Sequence, residues 1–146
     1  MKLMKILIIN GPNINFVGIR EKGIYGTESY EDICKRLMAY AGEKGIEMEI
    51  WQSNHEGAII DKIQSLYGAD VKGVVINPGA YTHYSYAIAD AIKSIDTPFI
   101  EVHFSDINSR EDFRKVSVTK AGCIDQISGF GPDGYFMAVD KIIGME

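Results

Sequence analysis

Along the chain, short runs of consecutive apolar residues alternate with longer stretches in which apolar residues recur at helical spacing. The runs Lys5 to Ile9, Ile46 to Trp51, Gly73 to Ile76, Phe99 to Val102 and Ile124 to Ile127 have the length of strands, and each is bounded by turn-forming residues. Between them Ser29 to Lys44, Glu56 to Leu66, Ser85 to Ser94 and Gly134 to Ile143 are helical in pattern, and Arg110 to Val116 reads as a further short helix. The first helix opens on Ser29 with Asp32 three positions on, the signature of a cap for the N–H groups that a helix start leaves without partners. Near-continuous apolar strands are buried on both faces, and helices between them supply the crossovers, so the pattern predicts a parallel sheet covered on both sides. The expected fold is a flavodoxin-like three-layer α/β sandwich on a five-stranded parallel sheet, a single domain over residues 1–146. In such sheets ligands bind beyond the carboxyl ends of the strands, where strand order reverses.

Three strands end in polar residues that a core would not select: Asn10 to Asn13 after the first, Asn77-Pro78-Gly79 after the third, and Glu101 with His103 at the fourth. The topology gathers these ends in one crevice, with Arg114 a candidate neighbour, and such a convergence favours a site. Glu101 and His103 are two apart on a strand and leave the same face, so the carboxylate can orient the imidazole and favour its proton-donating form. The pair reads as a general acid; a satisfied strand-end histidine beside an unrelated carboxylate is the alternative. The connection from Asn10 to Thr27 is long for this fold, holds four glycines, and carries Arg20 and Tyr25. Ionising a tyrosine of reference pKa about 10 near neutrality takes about 4 kcal/mol. A guanidinium about 4 Å away supplies roughly that at an effective dielectric of about 20. Tyr25 is therefore feasible as a base, against a reading in which it packs the loop and Arg20 is solvated.

His83, just beyond Asn77-Pro78-Gly79, and Ser105, just past the fourth strand, serve either a ligand's hydroxyls and carboxylate or their own turns. Arg110 and Arg114 are four apart and share a direction if helical, one for a ligand and the other for Glu111 or Asp112. Tyr30, Tyr40, Tyr67, Tyr135 and Phe136 read as core or interface groups without chemistry.

Composition narrows the partners. With 46% hydrophobic residues, 146 residues supply one core, and a net charge of -5 leaves no basic field for nucleic acid. Cys34 and Cys123 form neither a metal-ligand pair nor a disulfide framework; both are expected to pack, and their sparse use suits a reducing cytosol. The opening run Met1 to Ile9 is too short for a secretory apolar segment and nothing later approaches a membrane span, so a cytoplasmic protein without a membrane partner is expected. A flavin- or nucleotide-binding protein of the same fold is the main rival, but no Gly-rich phosphate loop follows the first strand, where Pro12 also removes a backbone donor. A metal-dependent hydrolase using His83, His103 and Asp106 is the second; Glu101 and the arginines suit an anion-binding acid-base site better.

The blocks Asn10-Gly11-Pro12-Asn13-Ile14-Asn15, Arg20-Glu21 and Tyr25-Gly26 resemble the opening signature of the type II 3-dehydroquinate dehydratases. The likeness continues through Gln52-Ser53-Asn54-His55-Glu56-Gly57, Asn77 to His83, Pro98 to His103 and Arg110 to Arg114, and ends at Ile127-Ser128-Gly129-Phe130-Gly131. It implies a cofactor-free and metal-free hydro-lyase of the shikimate pathway, eliminating water from a small cyclic ketone through an enolate. By this resemblance Tyr25, activated by Arg20, is the base, Asn13 holds a water facing the enolate oxygen, and His103, oriented by Glu101, protonates the departing hydroxyl. Asn77, His83 and Arg114 match binders of ring hydroxyls, Phe104 and Ser105 flank the substrate with Ser105 on its carboxylate, and Asp90 matches an acid reaching a neighbouring subunit. The family assembles as dodecamers, tetramers of trimers. Departures fall at Lys22 in place of proline, Tyr84 in place of a small residue, Ala89 in place of arginine, Asp106 and Asn108 in the loop after Ser105, and Val116 in place of histidine. Every position assigned to chemistry keeps the expected residue type.

Overall fold

The computed structural model describes residues 2–19 and 28–145. Five strands, β1 (Lys5–Asn10), β2 (Glu47–Gln52), β3 (Gly73–Asn77), β4 (Phe99–His103) and β5 (Asp125–Ser128), form one sheet in the order β2-β1-β3-β4-β5. Every neighbouring pair is parallel. The order reverses between β1 and β3, which places the expected crevice beyond Asn10 and Asn77, paired in register. Each predicted strand is present within one residue of its expected ends.

The side chains of β1 divide the core. Ile6 and Ile8 face helices α1 (Tyr30–Lys44) and, at the chain's end, α5 (Asp133–Ile143), packing with Ile33, Leu37, Val75, Val102, Ala138 and Ile142. Leu7 and Ile9 face the opposite layer, α2 (Glu56–Gln64) and α3 (Tyr86–Lys93), with Ile59, Ile63, Val74, Ile76, Ile88 and Phe99. This period-two division is what a sheet buried on both faces requires. The edge strands are less buried than the three central ones, and β5, reading Asp-Gln-Ile-Ser, brings polar side chains to the flank of β4.

Ser29 caps α1 as expected: its Oγ accepts from Asp32 N–H at 3.1 Å while Ser29 N–H donates to the Asp32 carboxylate at 3.3 Å. The short helix after β4 is smaller than its pattern predicted. Arg110 is extended, its N–H closing the 3-10 turn Ile107–Ser109, and α4 covers only Asp112–Lys115. The two arginines therefore do not share one helical face, yet both reach the same cavity.

Candidate active site

The floor of the crevice is two strand-end loops pressed together. Gly11 N–H donates to Asn77 O at 2.8 Å, and a Cβ on Gly11 would lie 2.3 Å from Pro78 O, so only glycine permits the approach. Gly79, at φ +63°, meets the Pro12 carbonyl from the other side, where a Cβ would stand 2.9 Å away. Next in the chain, Asn13 is left-handed at φ 68°, the one described non-glycine residue with positive φ. Asn54 holds it there: its Oδ1 accepts from Asn13 N–H at 3.1 Å and from Gln52 Nε2 at 3.0 Å, while its carbonyl accepts from the Tyr81 hydroxyl at 3.1 Å.

The strand-end asparagines divide their labour. Asn10 is buried and turns beneath the sheet's end: its Oδ1 accepts from the Tyr135 hydroxyl and its Nδ2 donates to the Tyr30 hydroxyl at 3.3 Å. It does not line the cavity; of the polar run Asn10 to Asn13, Pro12 and Asn13 do. Asn77 does line it, anchored by Nδ2 on the Tyr135 hydroxyl and by Oδ1 on Gly79 N–H, both at 3.3 Å. Tyr30 and Tyr135, read as plain core groups, thus tie the strand ends together through their hydroxyls. Burial raises both phenols above their ordinary pKa, so they act as neutral donors and acceptors.

Glu101 and His103 meet as their spacing predicted, with His103 Nε2 2.8 Å from Glu101 Oε2. Glu101 is 0% exposed and lies behind the cavity wall; His103 forms part of that wall. Further donors converge on the carboxylate: Ser117 Oγ at 2.7 Å and Gln126 Nε2 at 2.8 Å to Oε2, and the Thr119 hydroxyl to Oε1. Burial alone would raise the Glu101 pKa, but the His103 contact and the Thr119 and Ser117 hydroxyls outweigh it and hold the group below its ordinary value. A carboxylate only accepts, so His103 Nε2 carries a hydrogen and Nδ1, without a hydrogen-bond partner among the described residues, is the atom left for proton exchange in the cavity.

Arg110 and Arg114 make part of the lining basic. Arg110 donates to Ser105 Oγ at 2.9 Å, and Arg114 Nε lies 2.9 Å from Glu111 Oε2 as an ion pair without a directed hydrogen bond, its guanidinium 4.8 Å over the Phe113 ring. Glu111 stands 4.0 Å from Arg110 Nε, so Arg114 is the more neutralised of the two. His83 Nδ1 donates to the Val116 carbonyl at 2.7 Å, which leaves Nε2 as the ring's other polar atom. That contact uses the backbone of Val116 only, so it does not depend on the side chain there.

Asn13, Asn77, His83, His103, Phe104, Ser105 and Arg114 therefore line one cavity, with Glu101 supporting it. Phe104 stacks edge-on against Tyr135 with ring centroids 5.4 Å apart. Asp90 is exposed on α3 and does not line the cavity of its own chain. Arg20 and Tyr25 lie outside the described residues. Asp106 is spent on its own turn, accepting from Asn108 N–H at 3.0 Å, and among the described residues no three His, Cys, Asp or Glu side chains converge as metal ligands. Cys123 is pushed up to about 12 by burial and then by the Glu101 charge, and Cys34 is also raised chiefly by burial, in keeping with inert packing thiols. Sequence reasoning named Arg110 without assigning it and missed Asn54, Ser117, Thr119 and Gln126. Only the four-residue spacing of the arginines and the Gln52-to-Gly57 motif pointed toward any of these.

The family described as "Dehydroquinase class II" matches residues 4–143. A 3-dehydroquinate dehydratase of Clostridium beijerinckii is 57% identical over 139 residues, 95% of each chain. One of Clostridium acetobutylicum is 58% identical over 142 residues, 97% of this chain and 98% of the relative. The crystal structure of a type II dehydroquinase from Butyrivibrio crossotus superposes with a TM-score of 0.95 at 57% identity, covering 97% of this chain and 99% of that one. With the family match over residues 4–143, relatives 57% and 58% identical along nearly the whole chain and a superposing five-stranded parallel fold, the chain belongs to the class II dehydroquinases.

Proposed function

We propose that this chain, acting as one catalytic domain over 1–146, is a 3-dehydroquinate dehydratase. It converts 3-dehydroquinate to 3-dehydroshikimate and water by anti elimination, as a step of the shikimate pathway toward aromatic amino acids. The observation that carries this reading is the buried Glu101–His103 pair at 2.8 Å, opening on a cavity with Arg110, Arg114, His83 and Asn77. A cyclic hydroxy acid needs such a lining: cations for its carboxylate, neutral donors and acceptors for its hydroxyls, and one proton source for the hydroxyl that leaves.

In this mechanism Tyr25, made acidic by Arg20, takes the proton from the carbon alpha to the ketone, and the electron pair moves onto the ketone oxygen as an enolate. Asn13 holds a water against that oxygen. The enolate then collapses, the carbon–oxygen bond of the hydroxyl breaks, and imidazolium Nδ1 of His103 protonates the departing oxygen while Glu101 balances the ring's charge. Ser105 with Arg110 faces the carboxylate, supported by their 2.9 Å contact; Arg114, His83 and Asn77 face the ring hydroxyls, and Phe104 bounds the ring. The enzyme works in the cytoplasm as a tetramer of trimers in which Asp90 serves the neighbouring subunit's site, consistent with its exposure on α3.

Purified protein mixed with 3-dehydroquinate should develop the ultraviolet absorbance of a conjugated enone acid. Absence of that signal at micromolar enzyme over an hour would refute the activity. Sedimentation giving a particle smaller than a dodecamer would refute the assembly, and a monomer would refute the role of Asp90 as well.

A further inference from the structure

Glu101 is a fully buried carboxylate whose partner across β3 is Ile76 and across β5 is Gln126. A carboxylate in such a place stays ionised only if donors replace the water it has lost. The donors are unequally shared. Oε2 receives His103 Nε2, Ser117 Oγ and Gln126 Nε2 within 2.8 Å, whereas Oε1 receives the Thr119 hydroxyl alone among the described residues. Gln126 is placed by strand register, and Ser117 and Thr119 by the segment that leaves α4 and enters the 3-10 turn Thr119–Gly122. Ser117 Oγ is itself fixed, accepting from Lys120 N–H at 3.1 Å, and Thr119 is 0% exposed.

We infer that Thr119, backed by Ser117 and Gln126, is a positioning residue for proton delivery: its hydroxyl fixes the Glu101 carboxylate so that Oε2 meets His103 and Nδ1 faces the cavity. The inference rests on the reading of His103 as the acid. None of the three touches substrate; each acts through Glu101. Without the Thr119 hydroxyl, Oε1 is buried without a partner, and the carboxylate gains by taking a proton or by turning away from the imidazole. Either change removes what stabilises the imidazolium. The titratable groups interacting with this carboxylate are His103 from its own strand and Cys123 from the turn beyond Thr119, the latter held as a neutral thiol; the remaining partners are uncharged. Loss of the hydroxyl lets Glu101 take its proton at higher pH, so the acid-side fall of kcat moves upward.

The test is steady-state turnover of 3-dehydroquinate across the acid and neutral range by Thr119→Val, Thr119→Ser, Ser117→Ala and His103→Ala, with thermal melts to confirm folding. Thr119→Val should lower kcat about 10- to 100-fold, the cost of one unpartnered buried acceptor, with KM within about twofold and the acid limb moved to higher pH. Thr119→Ser should recover turnover to within about threefold, because the hydroxyl returns and only a methyl is lost. Wild-type kcat and an unmoved limb in Thr119→Val, while His103→Ala is inactive, would overturn the positioning role and leave the acid standing. Turnover retained by His103→Ala would instead overturn the acid, and this inference with it. If Thr119→Val does not fold, Ser117→Ala decides: the cage predicts about a three- to tenfold loss of kcat with the limb moved the same way, and wild-type behaviour overturns it.

Discussion

The hydroxyl of Tyr135 joins the two strand ends that make the crevice, and its removal should be measurable as lost stability before it is measurable as lost chemistry. Tyr135 is 1% exposed, donates to Asn10 Oδ1 at 2.5 Å and accepts from Asn77 Nδ2 at 3.3 Å. In Tyr135→Phe the ring and its contact with Phe104 remain, so almost no apolar burial is lost and the effect isolates the hydroxyl. Asn10 is 1% exposed and its Oδ1 has no other donor among the described residues, so the variant leaves one buried acceptor unpartnered, at about 1–3 kcal/mol. The Asn77 bond is long and adds little. A net loss of about 2 kcal/mol corresponds to a melting temperature lower by about 4–8 °C for a chain of this size. Urea titrations at matched protein concentration, which holds any assembly equilibrium fixed, give the difference directly. Tyr30→Phe is the internal comparison: its hydroxyl accepts from the other end of the same amide at 3.3 Å in a half-buried place, so it should cost less than half as much. A Tyr135→Phe protein within about 0.5 kcal/mol of wild type would refute the reasoning, by showing that the Asn10 carbonyl finds another partner at no cost.

Other consequences are open to measurement. Gly11→Ala forces a Cβ to within 2.3 Å of Pro78 O, so it should cost about 1–3 kcal/mol of stability and, by separating Asn13 from Asn77, lower kcat/KM more than tenfold; normal kinetics would mean that the loops move apart harmlessly. Tyr25→Phe should lose turnover by about two orders of magnitude or more while product still binds in isothermal titration, and near-normal kcat would remove Tyr25 from the mechanism. Because Glu101 is held below its ordinary value of 4.5, its contribution to stability is complete above that pH and is lost as the pH falls through the lower folded value. Wild type should therefore weaken more steeply than Glu101→Gln as the pH falls below 4.5; parallel urea midpoints for the two proteins would contradict the assignment.

The sheet was legible because its physics is local and repetitive. Ile6 to Ile9 and Val74 to Ile76 are apolar without interruption, which only a strand covered on both faces accommodates, and the helices between announce parallel pairing. The Ser29–Asp32 cap was legible for the same reason, since both partners lie within one turn. Arg110 to Val116 misled because its helical spacing is real but the backbone is claimed first by the turn at Ile107–Ser109, which takes the Arg110 N–H. Among site residues, Glu101 with His103 could be read from strand periodicity alone. Thr119 and Gln126 could not: they reach Glu101 from 18 and 25 residues away, and ordinary threonine and glutamine carry no signal until β5 is set in register beside β4.

The two cavity histidines show what the fold adds to residue identity. Each has one ring nitrogen fixed by an oxygen that only accepts, Nε2 of His103 by the Glu101 carboxylate and Nδ1 of His83 by the Val116 carbonyl, so each carries its hydrogen there and offers its other nitrogen. The partners differ in charge, and the difference separates the roles. The negative charge of Glu101 lies against His103, where it would balance the ring's charge in the proposed donation of a proton to the leaving hydroxyl. The Val116 carbonyl behind His83 orients the ring without placing a full charge against it, which fits the proposed contact with a hydroxyl that stays. His103's partner was readable two residues away, whereas His83's lies 33 residues on and belongs to the backbone, where no side-chain pattern records it. Exchanging the kind of partner should exchange the kind of histidine: Glu101→Gln keeps an acceptor oxygen within reach of His103 but withdraws the charge, and should leave substrate affinity nearly intact while kcat falls about 10- to 100-fold. Equal losses in kcat and in affinity would mean that Glu101 serves the shape of the cavity and not the proton.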